Sequence, residues 1–206
     1  MRKKSQDTGA ATGSSLTIAS RFAALAACLG EPPLLEGEDR AAYETLSEQI
    51  LGSVEPRDGI EFLWVRDVID LTWEIQRLRR IKSAYLGSCK PKGLRALLEP
   101  RVDDYHERMA LIHDCVLGNQ EAEAELDLIL SASKLTRDAI TAESFAAKID
   151  DFEKFERMIA QAETRRLNII REVDRHREAL GRQLREATDV KDAEFRVIDD
   201  ADLEVV

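Results

Sequence analysis

Asp103, His106 and His113 stand at i, i+3 and i+7, a spacing that places a carboxylate and two imidazoles on one face of a helix. Helical bundles build metal sites from such groups. A bridged di-iron site, however, needs Glu-x-x-His on two helices and a further Glu from each of two others. This chain has one Asp-x-x-His and no second copy, since His176 follows Val173 at that spacing. HExxH is also absent: His106-Glu107 runs into Arg108-Met109-Ala110. The three residues therefore read as ordinary helix-surface groups, and no metal or other cofactor is expected.

Nucleophilic chemistry needs a Ser or Cys presented on a turn beside an oriented base. No G-x-S-x-G occurs, all three histidines fall inside helical patterns, and Cys115 points to a different side of its helix from His113. The chain is not expected to be an enzyme.

The remaining chemical signal is charge. Arg77, Arg79, Arg80, Lys82, Lys90, Lys92 and Arg95 lie between Ile75 and Leu98 with no acid among them. The chain as a whole carries −10, so everything outside this window carries −17, the difference between −10 and the window's +7. Such a reversal suits a phosphate-bearing ligand or nucleic acid, with Tyr85 available for stacking. Against that, Arg77, Arg79, Arg80 and Lys82 fan out around a helix end, where cations offset the helix dipole. Lys90, Lys92 and Arg95 fall in a loop and the next helix start. The chain's own carboxylates are the natural partners. A binding role requires the fold to gather Arg79, Lys82, Lys90, Lys92 and Arg95 onto one exposed face.

Helices must position all of these groups. Ala, Leu, Glu and Arg dominate, aromatics are 5%, charged residues 34%, and Gly and Pro are sparse, the composition of a helical bundle. Residues 1–14 read as a disordered N-terminus and 15–188 as one helical domain. The first short helix is capped by Ser14 or Ser15 and ends at Gly30 and Pro32-Pro33. A second opens at Glu38-Asp39 and breaks at Gly52–Pro56. The third, about Asp58–Leu86, has two apolar strips, one from Ile60, Trp64, Val68, Leu71, Ile75 and Leu78, the other from Phe62, Val65, Ile69 and Trp73. Two apolar faces mark the centre of a bundle, and both tryptophans read as core anchors.

A loop over Gly87–Gly93 then leads to a fourth helix over about Leu94–Leu117, with Pro100 near its start or kinking it. An acidic helix follows over Gln120–Ser131. Beyond it, Ala142–Thr188 reads as one long amphipathic helix. Phe145, Ile149, Phe152, Ile159, Ile170, Val173, Leu180 and Leu184 form a 3/4-spaced seam, interrupted by Glu156, Glu163, Arg166 and Arg177. Such a seam suits an antiparallel hairpin within the fold or an imperfect coiled-coil dimer. The acidic tail, 189–206, reads as disordered, with Glu194–Ile198 suited to forming a short strand in a complex.

The segments Gly37-Glu38-Asp39, Pro56-Arg57-Asp58, Val65-Arg66-Asp67, Trp73-Glu74 and Leu78-Arg79-Arg80 resemble those of a group of uncharacterised bacterial all-helical proteins. Glu153, Glu156, Arg165 and Arg166 resemble that group's late Glu- and Arg-rich helix. The likeness spans roughly residues 36–82 and 150–180. It implies helical architecture and carries over no activity.

Together these readings predict an all-α, irregular bundle of about five to six helices. Its function would be non-enzymatic: self-association or a protein partner engaged through the seam. The alternative is a nucleic-acid-associated accessory role for Arg77–Arg95. Three widely spaced cysteines, an interrupted apolar N-terminal stretch and no long apolar run point to a reducing cytoplasm and no membrane.

Overall fold

The computed structural model describes residues 21–194, with side chains over residues 21–188. Readings that concern residues 1–20 and 195–206, including the N-terminal disorder, the Ser14 or Ser15 cap and most of the tail, lie outside them.

The chain is an all-α bundle with no strand among the described residues. In order the helices are α1 (Ala23–Leu29), α2 (Arg40–Val54), α3 (Gly59–Ser88), α4 (Lys90–Leu98), α5 (Tyr105–Leu117), α6 (Gln120–Ala132), α7 (Asp138–Ala146) and α8 (Ile149–Glu194). The starts follow side-chain capping. Asp39 accepts from the Ala41 and Ala42 amides, Asp58 from Glu61, Asp104 from Glu107 and Asn119 from Glu121. Each cap contributes roughly 0.5–2 kcal/mol by satisfying amides that have no intrahelical partner.

There are more helices than the five or six expected, because several breaks are short. The proposed Gly87–Gly93 loop is helical except at Cys89. Pro91 sits in the first turn of α4, where its missing N–H costs nothing. Gly93 lies mid-helix because α7 crosses there. A Cβ at this position would lie 2.5 Å from the Ile140 carbonyl and 2.8 Å from the Ser144 amide.

The expected helix over Leu94–Leu117 is two helices, separated at residues 99–104 around Pro100 and restarted by the Asp104 cap. The expected helix over Ala142–Thr188 is likewise α7 and α8, parted at Ala147-Lys148 with neither glycine nor proline. α2 runs through Gly52 to Val54, and α8 runs on to Glu194, so the first residues of the acidic tail are helical.

The described residues divide into two compact units, and the division falls within α3 and within α8. The first unit takes in the described residues up to Asp70 and from Arg165 onward; the second is Leu71–Thr164. In the first, Phe62, Val65, Val68 and Ile69 of α3 are buried, with Tyr43 of α2 and Val173 of α8. In the second, Leu94, Leu97 and Leu98 of α4 pack with Leu111 and Ile112 of α5, Leu126 and Leu130 of α6 and Ile140 of α7. Each fully buried side chain of this kind contributes about 1.5–3 kcal/mol.

Both strips of α3 are therefore largely core, which satisfies the two-faced pattern. Ile60 is the exception, lying exposed in the first turn, while Trp64 is half-buried. No helix among the described residues is long and apolar enough to cross a membrane.

Candidate functional site

Among the described residues, a cluster of chemically capable side chains lies in the first unit, where the end of α2, the start of α3 and the middle of α8 meet. Asp58 is the α3 cap. Its Oδ1 accepts from the Glu61 amide at 2.9 Å, and its other oxygen, Oδ2, lies 2.7 Å from His176 Nε2. The Trp64 ring meets the imidazole edge-on, 5.5 Å between centroids.

Glu61, one turn on, is wholly buried. Arg177 donates from Nε to its Oε1 at 3.1 Å and from Nη2 to its Oε2 at 2.9 Å. The Arg57 amide donates to Oε2 as well, at 2.9 Å. Arg177 Nη2 also reaches the Val54 and Glu55 carbonyls at 2.8 and 3.4 Å, satisfying acceptors at the C-terminal end of α2.

The electrostatics follow from these contacts. Burial pushes the Glu61 carboxyl up, but the Arg177 hydrogen bonds and charge and the Arg57 amide outweigh it and hold the group below its usual range. Asp58 is held down chiefly by the Glu61 amide, with His176 adding to the effect against burial. Arg177 is raised in turn by Glu61.

Ligand atoms of Asp58, Glu61 and His176 lie within 4.8 Å of one another, the spacing of a candidate cation site. The donor set does not fit one. Both Glu61 oxygens already accept hydrogen bonds, Asp58 Oδ1 serves as the helix cap, and the Arg177 guanidinium supplies the positive charge the carboxylate needs. The arrangement is an interhelix clasp that ties α8 to α2 and α3.

Beside it, Tyr43 is buried and donates its hydroxyl to Asp70, which also pairs with Arg66 at 3.5 Å. Burial, then the Asp70 bond, raises the phenol.

The sites suggested by sequence fare differently. Asp103, His106 and His113 are all exposed, and Asp103 precedes α5 rather than sharing its face. Cys115 is buried and its thiol contacts the Ala122 carbonyl at 3.4 Å; burial first, then Glu123, raises it away from thiolate character.

Most of the basic window is engaged inside the second unit. Arg79 pairs with Glu163 at 2.7 Å, Lys82 with Glu156, and Lys90 with Glu123 at 3.1 Å. Arg80 lies over the Trp73 ring, Arg95 donates to the Met109 sulfur, and Arg77 is half-buried with interactions of its own. Lys92 is exposed. Tyr85 is no free stacking platform, for it donates to Asp151 at 2.6 Å and packs beside Phe152 and Phe155. A cleft of about 590 Å³ beside these pairs has Leu86, Phe145 and Ile159 in its wall, but Glu156 and Glu163 face its cations.

The seam of α8 divides as well. Phe152, Ile159 and Val173 are buried in the fold, Leu180 is half-buried, and Ile149, Ile170 and Leu184 remain exposed. In the second unit Arg79, Lys82 and Tyr85 meet Glu163, Glu156 and Asp151 in descending order, so α3 and α8 lie antiparallel there. Glu156, Glu163 and Arg177, which interrupt the seam in sequence, are thus partners for α3 within their own units.

Sequence reasoning missed the clasp, although Asp58 and Glu61 carry a capping signal and Arg177 stood out as a charge in an apolar seam.

No family model matches the chain, and neither curated proteins nor solved structures yield a match.

Proposed function

We propose that this chain is a non-enzymatic helical protein that self-associates through the apolar side of α8 in its first unit. The observation that carries the reading is a groove of about 480 Å³ lined by Ile50, Val54, Val65, Val68, Ile170 and Val173, with Gln49, Ser53 and Asp174 also in its wall. Ile170 lines this groove yet stays 41% exposed, and Leu167 one turn earlier is 49% exposed. Apolar groups left open beside an apolar groove favour burial against a matching surface, and a second copy presents the same Leu167 and Ile170.

Other chemistry is already committed, since the Asp58–Glu61–His176–Arg177 cluster and the cations Arg79, Lys82 and Lys90 hold the fold together. Light scattering across a concentration series tests the reading. A dimer is expected that strengthens with salt, because two chains of charge −10 repel each other, and L167D/I170D should be monomeric with unchanged helicity. A wild-type chain that stays monomeric at high micromolar concentration overturns it. An accessory role for Arg77–Arg95 in nucleic-acid binding has no comparable support, because Arg79, Lys82 and Lys90 face carboxylates.

A further inference from the structure

A group of exposed arginines lies on α8, outside the window that sequence singled out. Arg171, Arg175, Arg182 and Arg185 are all exposed. At about 100° per residue they fall within a sector of roughly 80°, on the side of the helix away from Val173 and Arg177, and extend about 21 Å along it. Glu178 is the one acid within that sector, so its net charge is +3, four arginines against one glutamate, with exposed Asp174 and Glu186 flanking it about 20° outside either edge. Arg175 pairs with Glu172 at 3.0 Å, while Arg171 reaches only the Asn168 amide oxygen, at 3.4 Å. Arg182 and Arg185 have no carboxylate within ion-pair distance among the described residues.

Two ordinary explanations of a basic helix face fall short. Helix-dipole compensation acts in the last turn, but α8 continues nine residues beyond Arg185 to Glu194. Intrahelical pairing accounts for Arg175 alone, even though Glu178 stands four residues before Arg182, the favourable order.

We infer that this stripe is a docking surface for the phosphate backbone of a nucleic acid. Guanidinium groups suit phosphate because their planar fork donates two parallel hydrogen bonds. A straight helix carrying several of them along one face matches a linear array of phosphates. Binding is independent of base sequence, because the stripe itself contains no aromatic side chain to stack on a base. Val173 and Arg177 of the apolar groove lie on the opposite side of α8, while Leu167 falls within the sector of the stripe. Phosphate binding is therefore read from retardation of the duplex and self-association from light scattering, each with its own variant.

The test is retardation of a DNA duplex of about 20 base pairs by the full chain over a salt series starting near 50 mM. The variant is R171Q/R182Q/R185Q, whose circular dichroism and melting temperature should match wild type because all three side chains are exposed; K92Q serves as a control for general charge loss. Wild type and K92Q should bind, with affinity falling steeply as salt rises. The triple variant should lose at least about tenfold in affinity, and its salt slope should be shallower by up to about three. The inference is overturned by no wild-type binding near 50 mM salt, by equal binding of the triple variant, or by equal losses in K92Q. Displacement of the duplex by polyglutamate at matched charge concentration also overturns it, since an acidic protein segment would then be the better ligand.

Discussion

Arg177 grips both carboxylate oxygens of Glu61, a side chain with no exposed surface, and the same guanidinium closes the end of α2 through the Val54 carbonyl. Residues 116 positions apart thereby join three helices. A buried ion pair of this kind adds little net stability over a well-packed apolar pair, but losing one member leaves a charge in an unfavourable medium.

R177M is therefore expected to destabilise the chain by about 3–5 kcal/mol in urea unfolding, with Glu61 left buried and uncompensated. The double variant E61L/R177M should recover most of that loss. A double variant no better than R177M would show that the pair is not coupled as described.

Asp58 and Glu61 both sit below their ordinary values of 3.8 and 4.5 in the folded state. Groups depressed on folding stabilise above their unfolded values and lose that contribution as pH falls through the lower folded ones. The melting temperature should show no loss from these two groups on going down from neutral to about pH 5, then decline below that. Replacing both with Asn and Gln should lower the melting temperature at neutral pH and flatten the acid decline.

Gly93 and Gly87 offer a paired contrast. G93A forces a methyl group into the Ile140 carbonyl and Ser144 of α7 and should cost about 1–3 kcal/mol. G87A meets no atom within 4 Å inside a regular helix and should gain about 0.5–1 kcal/mol. Thermal unfolding of the two variants decides; equal effects would refute the close crossing of α4 and α7.

The pairs Arg79–Glu163 and Lys82–Glu156 are solvent-accessible, with Arg79 53% and Glu156 61% exposed. R79Q and K82Q should each cost less than about 1 kcal/mol in urea unfolding, and less still in high salt. A larger loss would mean that these cations support the second unit by more than surface pairing.

Much of the helical plan was legible locally. Asp39, Asp58 and Asn119 announce helix starts through short side chains that reach their own backbone amides, and the two apolar strips of α3 announce a helix packed on two sides. Breaks without a breaker were not legible. Nothing at Cys89 or at Ala147-Lys148 forbids a helix, and Gly93 resembles a loop glycine until Ser144 of α7 is seen lying against it.

Sequence alone thus determined that this protein is all-α, with α3 and α8 as its long amphipathic helices, because helical periodicity and capping are local properties. Which charges face one another only the tertiary structure decided. Arg177, Glu156 and Glu163 look like flaws in an apolar seam, yet each finds its counter-charge on α3, more than 70 positions away along the chain. Coulombic and hydrogen-bond partners are set by distance in space, and one chain's residue order does not encode that distance directly.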